Sequence, residues 1–253
     1  CPRASVSAWA RLRAITSVPP PAAKPTTRRT GLAGQLAGCA AAGSTELASS
    51  AVKLAYYQAL TSGGRLTTES GVGVSTSDRT SQSTLYYTPF VSDYVRLYDG
   101  TRVREYLFTE RSLSLSGLTS GKNYDVWLRD ASGTLTLDLT VWTDDLTRAT
   151  ALAWQSGLGW VKSGDATRLY LGTIRTTGTT TTEDSGGGIT TQVGGKRFVW
   201  NAYNQVVRPL SVIDTTNSWT YSGGFRRANG ATGNIVEFVV GLTTPAQACV
   251  CAR

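Results

Sequence analysis

Leu135, Leu137, Leu139 and Val141 alternate with Thr134, Thr136, Asp138 and Thr140, and a period of two puts the first set on one face of a strand and the second on the other. An amphipathic helix cannot use that pattern. Comparable short runs separated by turn residues continue from about Val52, the mark of an all-β domain. In Tyr94-Val95-Arg96-Leu97-Tyr98 the pair Val95 and Leu97 share a face, and Asp99-Gly100 then supplies a two-residue type I′ turn into Val103, Glu105 and Leu107. A second hairpin is expected from Tyr124-Asp125-Val126-Trp127-Leu128, a turn around Ala131-Ser132-Gly133, and the Leu135 run. Residues 160–162 and 168–171 flank a turn at Ser163-Gly164-Asp165, and residues 196–203 and 235–240 are further strands.

Two stretches interrupt this rhythm. Asp144 or Asp145 is placed to cap a short helix through Leu146, Ala149, Ala151 and Leu152. Residues 173–188 hold seven threonines and four glycines and read as a long loop after a strand. The expected fold is therefore mainly β, an antiparallel sandwich or hairpin-rich domain with at most one or two short helices.

The first 50 residues differ from the rest of the chain. They contain five of the eight prolines, and six basic residues against the single acid Glu46, so they carry +5 of the net charge of +8. No aromatic residue lies between Ala10 and Ala55, so the segment lacks the large side chains that would offset the entropy of ordering it. We expect an arm at 1–50 that is flexible or processed, an N-terminal β region at 51–143, a C-terminal β region at 144–243 that could be continuous with it, and a tail at 244–253. With most of the charge in the arm, no nucleic-acid partner is expected for the β region. No stretch approaches the ~20 apolar residues of a membrane-spanning helix.

Within the arm, Leu36-Ala37-Gly38-Cys39 has the form of a lipoprotein cleavage site and Arg28-Arg29 that of a twin-arginine signal. The apolar run between them is short and broken by Gly34 and Gln35, so a plain Ala/Arg/Pro leader is the preferred expectation. The missing methionine leads us to expect a processed start, or a sequence that begins upstream of the true initiation site.

Histidine is absent from the whole chain. Its absence removes the commonest general base, metal ligand and pH switch together, and with them serine-histidine-acid triads and cysteine-histidine pairs. Cys1, Cys39, Cys249 and Cys251 match no structural zinc spacing and are expected to be free thiols. Carboxylates are the remaining acid-base candidates. The adjacent pairs Asp144-Asp145 and Glu183-Asp184 stand out, but neighbours on a strand point to opposite faces and neither pair identifies a partner at glycosidase separation. No catalytic residue, cofactor or metal site is expected.

Six of the seven tryptophans, Trp127, Trp142, Trp154, Trp160, Trp200 and Trp219, fall in the β region. Core packing accounts for most of them. Trp127 and Trp142 sit opposite the aliphatic face or at a strand end, so they are the expected exposed pair and the candidate contacts for a ligand or partner. Leu118-Thr119-Ser120-Gly121-Lys122-Asn123-Tyr124-Asp125-Val126 resembles the tyrosine corner of fibronectin type III and related sandwiches, in which a tyrosine hydroxyl bonds back to upstream backbone.

Taken with that segment, Leu85-Tyr86-Tyr87-Thr88-Pro89-Phe90, Val95-Arg96-Leu97-Tyr98-Asp99-Gly100, Tyr170-Leu171-Gly172-Thr173-Ile174-Arg175-Thr176, and Arg197-Phe198-Val199-Trp200-Asn201 with Tyr203-Asn204 form a combination. In this order and spacing it resembles a widespread group of phage and prophage virion proteins of tail-fibre, head-fibre and decoration type. The resemblance spans about Thr61 to Leu242. It implies a particle-associated protein with other virion proteins as partners, and it carries no active site across. The expectation is a non-catalytic structural or decoration protein, assembled as a symmetric homo-oligomer with a trimer favoured for a fibre. A receptor- or glycan-binding fibre domain, with a host surface glycan as ligand, is second; a carboxylate-dependent glycan hydrolase is a distant third.

Overall fold

The alternating runs form fifteen strands among the residues that the computed structural model describes, 61–187, 193–216 and 230–242. Every described residue belongs to the compact unit that spans 48–253. The expected arm, its export-like motifs, the tail and all four cysteines lie outside the described residues.

The fold is mainly β, in four sheets. β1 (Gly64–Thr67), β3 (Thr84–Pro89) and β6 (Arg111–Ser114) form one sheet in the order β1-β3-β6, and β4 (Tyr94–Tyr98) pairs with β5 (Val103–Leu107) in a two-stranded ribbon. The largest sheet runs β8 (Thr134–Val141), β7 (Asn123–Ala131), β11 (Asp165–Arg175), β10 (Gly159–Lys162), β9 (Leu152–Gln155), with β14 (Val199–Asn201) also paired to β11. It draws strands from both sides of residue 144. The fourth sheet orders β15 (Glu237–Phe238), β13 (Gly194–Arg197), β12 (Thr182–Gly187) and β2 (Arg79–Gln82). All pairings are antiparallel except that of β13 with β15.

Sandwich-like packing of these sheets makes the core. Leu85 and Tyr87 of β3 and Val95 and Leu97 of β4 join Val126, Leu128, Leu169 and Ile174 of the large sheet in one buried cluster. Each such aliphatic side chain contributes about 1.5–3 kcal/mol on leaving water. The tyrosine corner is present: Thr119 N donates to the Tyr124 hydroxyl at 2.8 Å, pinning the crossing into β7. β11 is long enough to need two neighbours on one edge, β10 along its first half and β14 along its second, while β7 lines the other edge.

Local turn chemistry departs from expectation in an instructive way. Ser132 and Gly133 have φ of 55° and 89°, so the type I′ turn sits between β7 and β8. The β4–β5 hairpin is present, but Tyr98 pairs with Val103 and leaves a four-residue loop. Asp99 Oδ1 accepts from Thr101 N at 2.8 Å and Arg102 N at 2.9 Å, and these side-chain bonds stabilise the wider loop over a tight turn.

Three further expectations are corrected. The helix expected over residues 144–152 does not form: Asp144 Oδ1 accepts from Leu146 N and Thr147 N and holds a turn, and no helical ladder succeeds it before β9. Over its described part, 173–187, the threonine-rich stretch is not a long loop. β11 continues to Arg175, the chain reverses where Thr177 N bonds Thr181 O at 2.8 Å, and β12 returns. Finally, the expected strand 196–203 breaks at Phe198 into β13 and β14, which join different sheets.

Candidate recognition face on the large sheet

Pairing registers define the two faces of the large sheet. Val126, Leu128, Leu169 and Val161 share one face, and their neighbours Asp125, Trp127, Arg129, Tyr170, Trp160 and Lys162 lie on the opposite one, where Trp127 and Tyr170 extend the buried cluster. Alternation in the sequence predicts that second face to be solvated. It is covered over half its width instead.

Trp127 is fully buried and Trp142 is only 7% exposed, so the exposure expected of them is corrected. Trp127 packs on Tyr170 with ring centroids 5.5 Å apart, and its indole N–H donates to Thr140 Oγ1 at 3.0 Å. Trp142 lies under the Arg148 guanidinium, 4.4 Å from the ring centre. Arg148 also reaches Asp125 Oδ2 at 2.9 Å, the Tyr170 hydroxyl at 3.1 Å and the carbonyl of Gly241. Thr173 Oγ1 donates to Asp125 Oδ1 at 2.8 Å and lies 2.6 Å from the Tyr170 hydroxyl. A loop after β8 and a segment at Gly241 thus close this half of the face around one buried charge pair. Burial raises the Asp125 carboxyl above its ordinary value, opposed by the Arg148 charge. Burial also raises the Tyr170 phenol, helped by the Asp125 charge.

The other half of the face stays open. Trp154 of β9 and Trp160 of β10 stand directly opposite each other, with centroids 5.3 Å apart and planes at 74°. Trp154 is 61% exposed and Trp160 is half-buried. Among the described residues β9 is the edge strand of the sheet. A three-residue loop, Ser156 to Leu158, sets this pair: Gly157 takes a φ of 78° and Leu158 N bonds Gln155 O at 3.1 Å. Trp160 N donates to the buried Tyr203 hydroxyl at 3.0 Å. That contact requires Gly159, because a Cβ there would lie 2.5 Å from the same hydroxyl.

Polar groups continue the open face inward from the indoles. Lys162 Nζ lies 5.9 Å above the Trp127 ring. Asp138 accepts from Arg129 Nε at 2.6 Å and lies 3.4 Å from Arg168 Nε, and Arg168 also pairs with Asp165. These four side chains keep about a third of their surface in water. The turn signal at Ser156-Gly157 between two tryptophans was the available sequence cue. Reading residues 144–152 as a helix obscured β9.

Both carboxylate pairs are committed to structure. Asp144 and Asp145 line a shallow cleft of about 610 Å³ with Gly121, Lys122, Leu146 and Thr147. Backbone N–H donation from Leu146 holds Asp144 below its ordinary value, and a hydrogen bond from Arg175 does the same for Asp145. Both shifts favour the ionised form, opposite to what a general acid requires. Glu183 lies 3.4 Å from Lys196 Nζ and accepts from Ser185 Oγ at 2.7 Å. Asp184 sits between Arg197 at 2.9 Å and Arg208 at 3.3 Å.

Among the described residues no group of three or more acidic, cysteine or histidine side chains is placed to hold a metal ion. Comparison with protein-family models, with curated proteins and with solved structures returned no match to this chain.

Proposed function

We propose that the chain is a non-catalytic structural or decoration component of a bacteriophage particle, built into a symmetric homo-oligomer, with a trimer favoured. The outward face of the β4–β5 ribbon carries this reading. Leu107 is 79% exposed, Val103 is exposed at the other end of the strand with Glu105 between them, and β5 has a strand partner on one side only among the described residues. Exposed apolar side chains on an unpaired edge invite association, and a closed assembly is the ordinary way to cover them. Virion-type sequence combinations spread over the same β region support the particle setting.

A second reading, a receptor- or glycan-binding fibre domain, is favoured by the exposed Trp154–Trp160 pair, since indole faces stack on the apolar faces of sugar rings. The two readings are compatible in one appendage.

Sedimentation of the purified protein and of Leu107→Glu tests the first. A defined oligomer that Leu107→Glu dissociates supports it, and a monomeric parent at micromolar concentration sinks it. Mass spectrometry of purified particles checks the setting. Incubation with host surface polysaccharide checks the non-enzyme part: sustained release of new reducing ends, abolished by Asp144→Asn, Asp145→Asn, Glu183→Gln or Asp184→Asn, would overturn it.

A further inference from the structure

Building on the recognition reading of the Trp154 face, the geometry points to an acidic polysaccharide as its ligand, with Trp154 and Trp160 stacking the sugar rings and Lys162 and Arg168 taking the sugar carboxylates. The indoles supply an apolar platform at the sheet edge, open because β9 has no strand beyond it among the described residues. Pairing of Trp160 with Trp154 and of Lys162 with Leu152 places the ammonium on the same face, two residues along β10 from the inner indole. An extended glycan crossing from the edge toward β7 meets indole, indole, ammonium and guanidinium in turn.

Charge decides the class of sugar. Lys162, Arg129 and Arg168 face Asp138 and Asp165 on this strip, leaving one positive charge in excess. Lys162 holds that excess, because its ammonium sits over the Trp127 ring and no carboxylate bonds it among the described residues. Arg168 shares Asp138 with Arg129 and pairs with Asp165, and its side chain stays about a third open to water beside Lys162. A neutral glycan satisfies the indoles and leaves the ammonium unmatched; a uronate or sialate satisfies both.

The test uses the full chain, with tryptophan fluorescence titrations against polygalacturonate oligomers, polysialic acid and the carboxyl-reduced, neutral form of the first. We expect the anionic polymers to bind more tightly than the neutral one and to weaken as salt rises. Trp154→Ala, at a site exposed enough to leave the fold intact, should lower affinity about tenfold for every polymer bound, with Trp154→Phe recovering most of it. Lys162→Gln should lower affinity about three- to fivefold for the anionic polymers alone. Equal binding of neutral and anionic polymers, unaffected by Lys162→Gln, overturns the acidic ligand while leaving glycan recognition standing. Failure of every polymer to bind, or binding that Trp154→Ala does not change, overturns both. A Trp154→Ala variant that instead loses self-association in sedimentation makes this face a contact between copies and overturns both as well.

Discussion

Arg148 Nε donates to Asp125 Oδ2 at 2.9 Å, tying the loop after β8 to the first part of β7 through a carboxylate with almost no contact with water. The pair is held on all sides: Thr173 serves the second carboxylate oxygen, and Tyr170 and the Gly241 carbonyl serve the guanidinium. A charge this far from solvent is tolerable only while its partner stays.

Arg148→Met is therefore expected to destabilise the protein by about 3–5 kcal/mol, since it leaves the Asp125 carboxylate buried and uncompensated. The double variant Arg148→Met, Asp125→Leu should recover a large part of that loss, because it removes the orphaned charge together with its partner. Urea unfolding of the parent, both single variants and the double variant measures the coupling. Additive losses would show that the pair does not act as a unit.

Tyr124→Phe keeps the ring in the core and removes the acceptor for Thr119 N. A loss of about 1–1.5 kcal/mol is expected from the unmade hydrogen bond. The check is a chemical denaturation midpoint at unchanged slope, with amide exchange at Thr119 rising in step.

Acid stability should depend on two opposed sets of carboxylates. Backbone N–H donors at Arg102 and Leu146 lower Asp99 and Asp144, and the Arg175 hydrogen bond lowers Asp145. Their folded values lie below their unfolded ones, so their stabilisation is present above the unfolded value near 3.8 and is lost as pH falls through the folded values. Asp125 is raised by burial, so its contribution runs the other way: it is fully present below the unfolded value and lost as pH rises through the folded one. Unfolding midpoints should therefore fall below about pH 4. Asp144→Asn should flatten that fall and Asp125→Asn should steepen it, read from urea midpoints between about pH 3 and 6.

Two glycines should respond to alanine for different reasons. Gly133→Ala places a side chain at a φ of 89° in open space, a local strain of about 1–2 kcal/mol. At Gly172 a Cβ would sit 2.0 Å from the Trp200 carbonyl oxygen, so β14 itself has to move. The expected cost is about 2–3 kcal/mol, with near-ultraviolet circular dichroism of the Trp200 environment altered in Gly172→Ala and unchanged in Gly133→Ala.

Features carried by neighbouring residues were legible in the chain. Val95 and Leu97 are buried side by side as their spacing requires, Ser132-Gly133 makes the turn between β7 and β8, and Tyr124 forms its corner with Thr119. Each depends on contacts within a few positions or on the strict alternation of a strand. The candidate site was less legible. Trp154 and Trp160 were visible as tryptophans, but which indoles meet solvent was assigned to Trp127 and Trp142 in their place.

A period of two says that a strand has two faces, and composition says which is more apolar; that much, and with it the all-β architecture, follows from the order of the residues alone. What lies over the second face is decided by chain that returns from elsewhere. Trp127 is covered because Tyr170 packs on it from β11 and Lys162 lies over its ring from β10, and beside it Arg148 folds down onto Asp125 and binds the Gly241 carbonyl, 93 positions further on. Trp154 stays exposed because no strand lies beyond β9 among the described residues. Covering or exposing an indole depends on its distance from segments remote in sequence, and only the tertiary structure sets that distance.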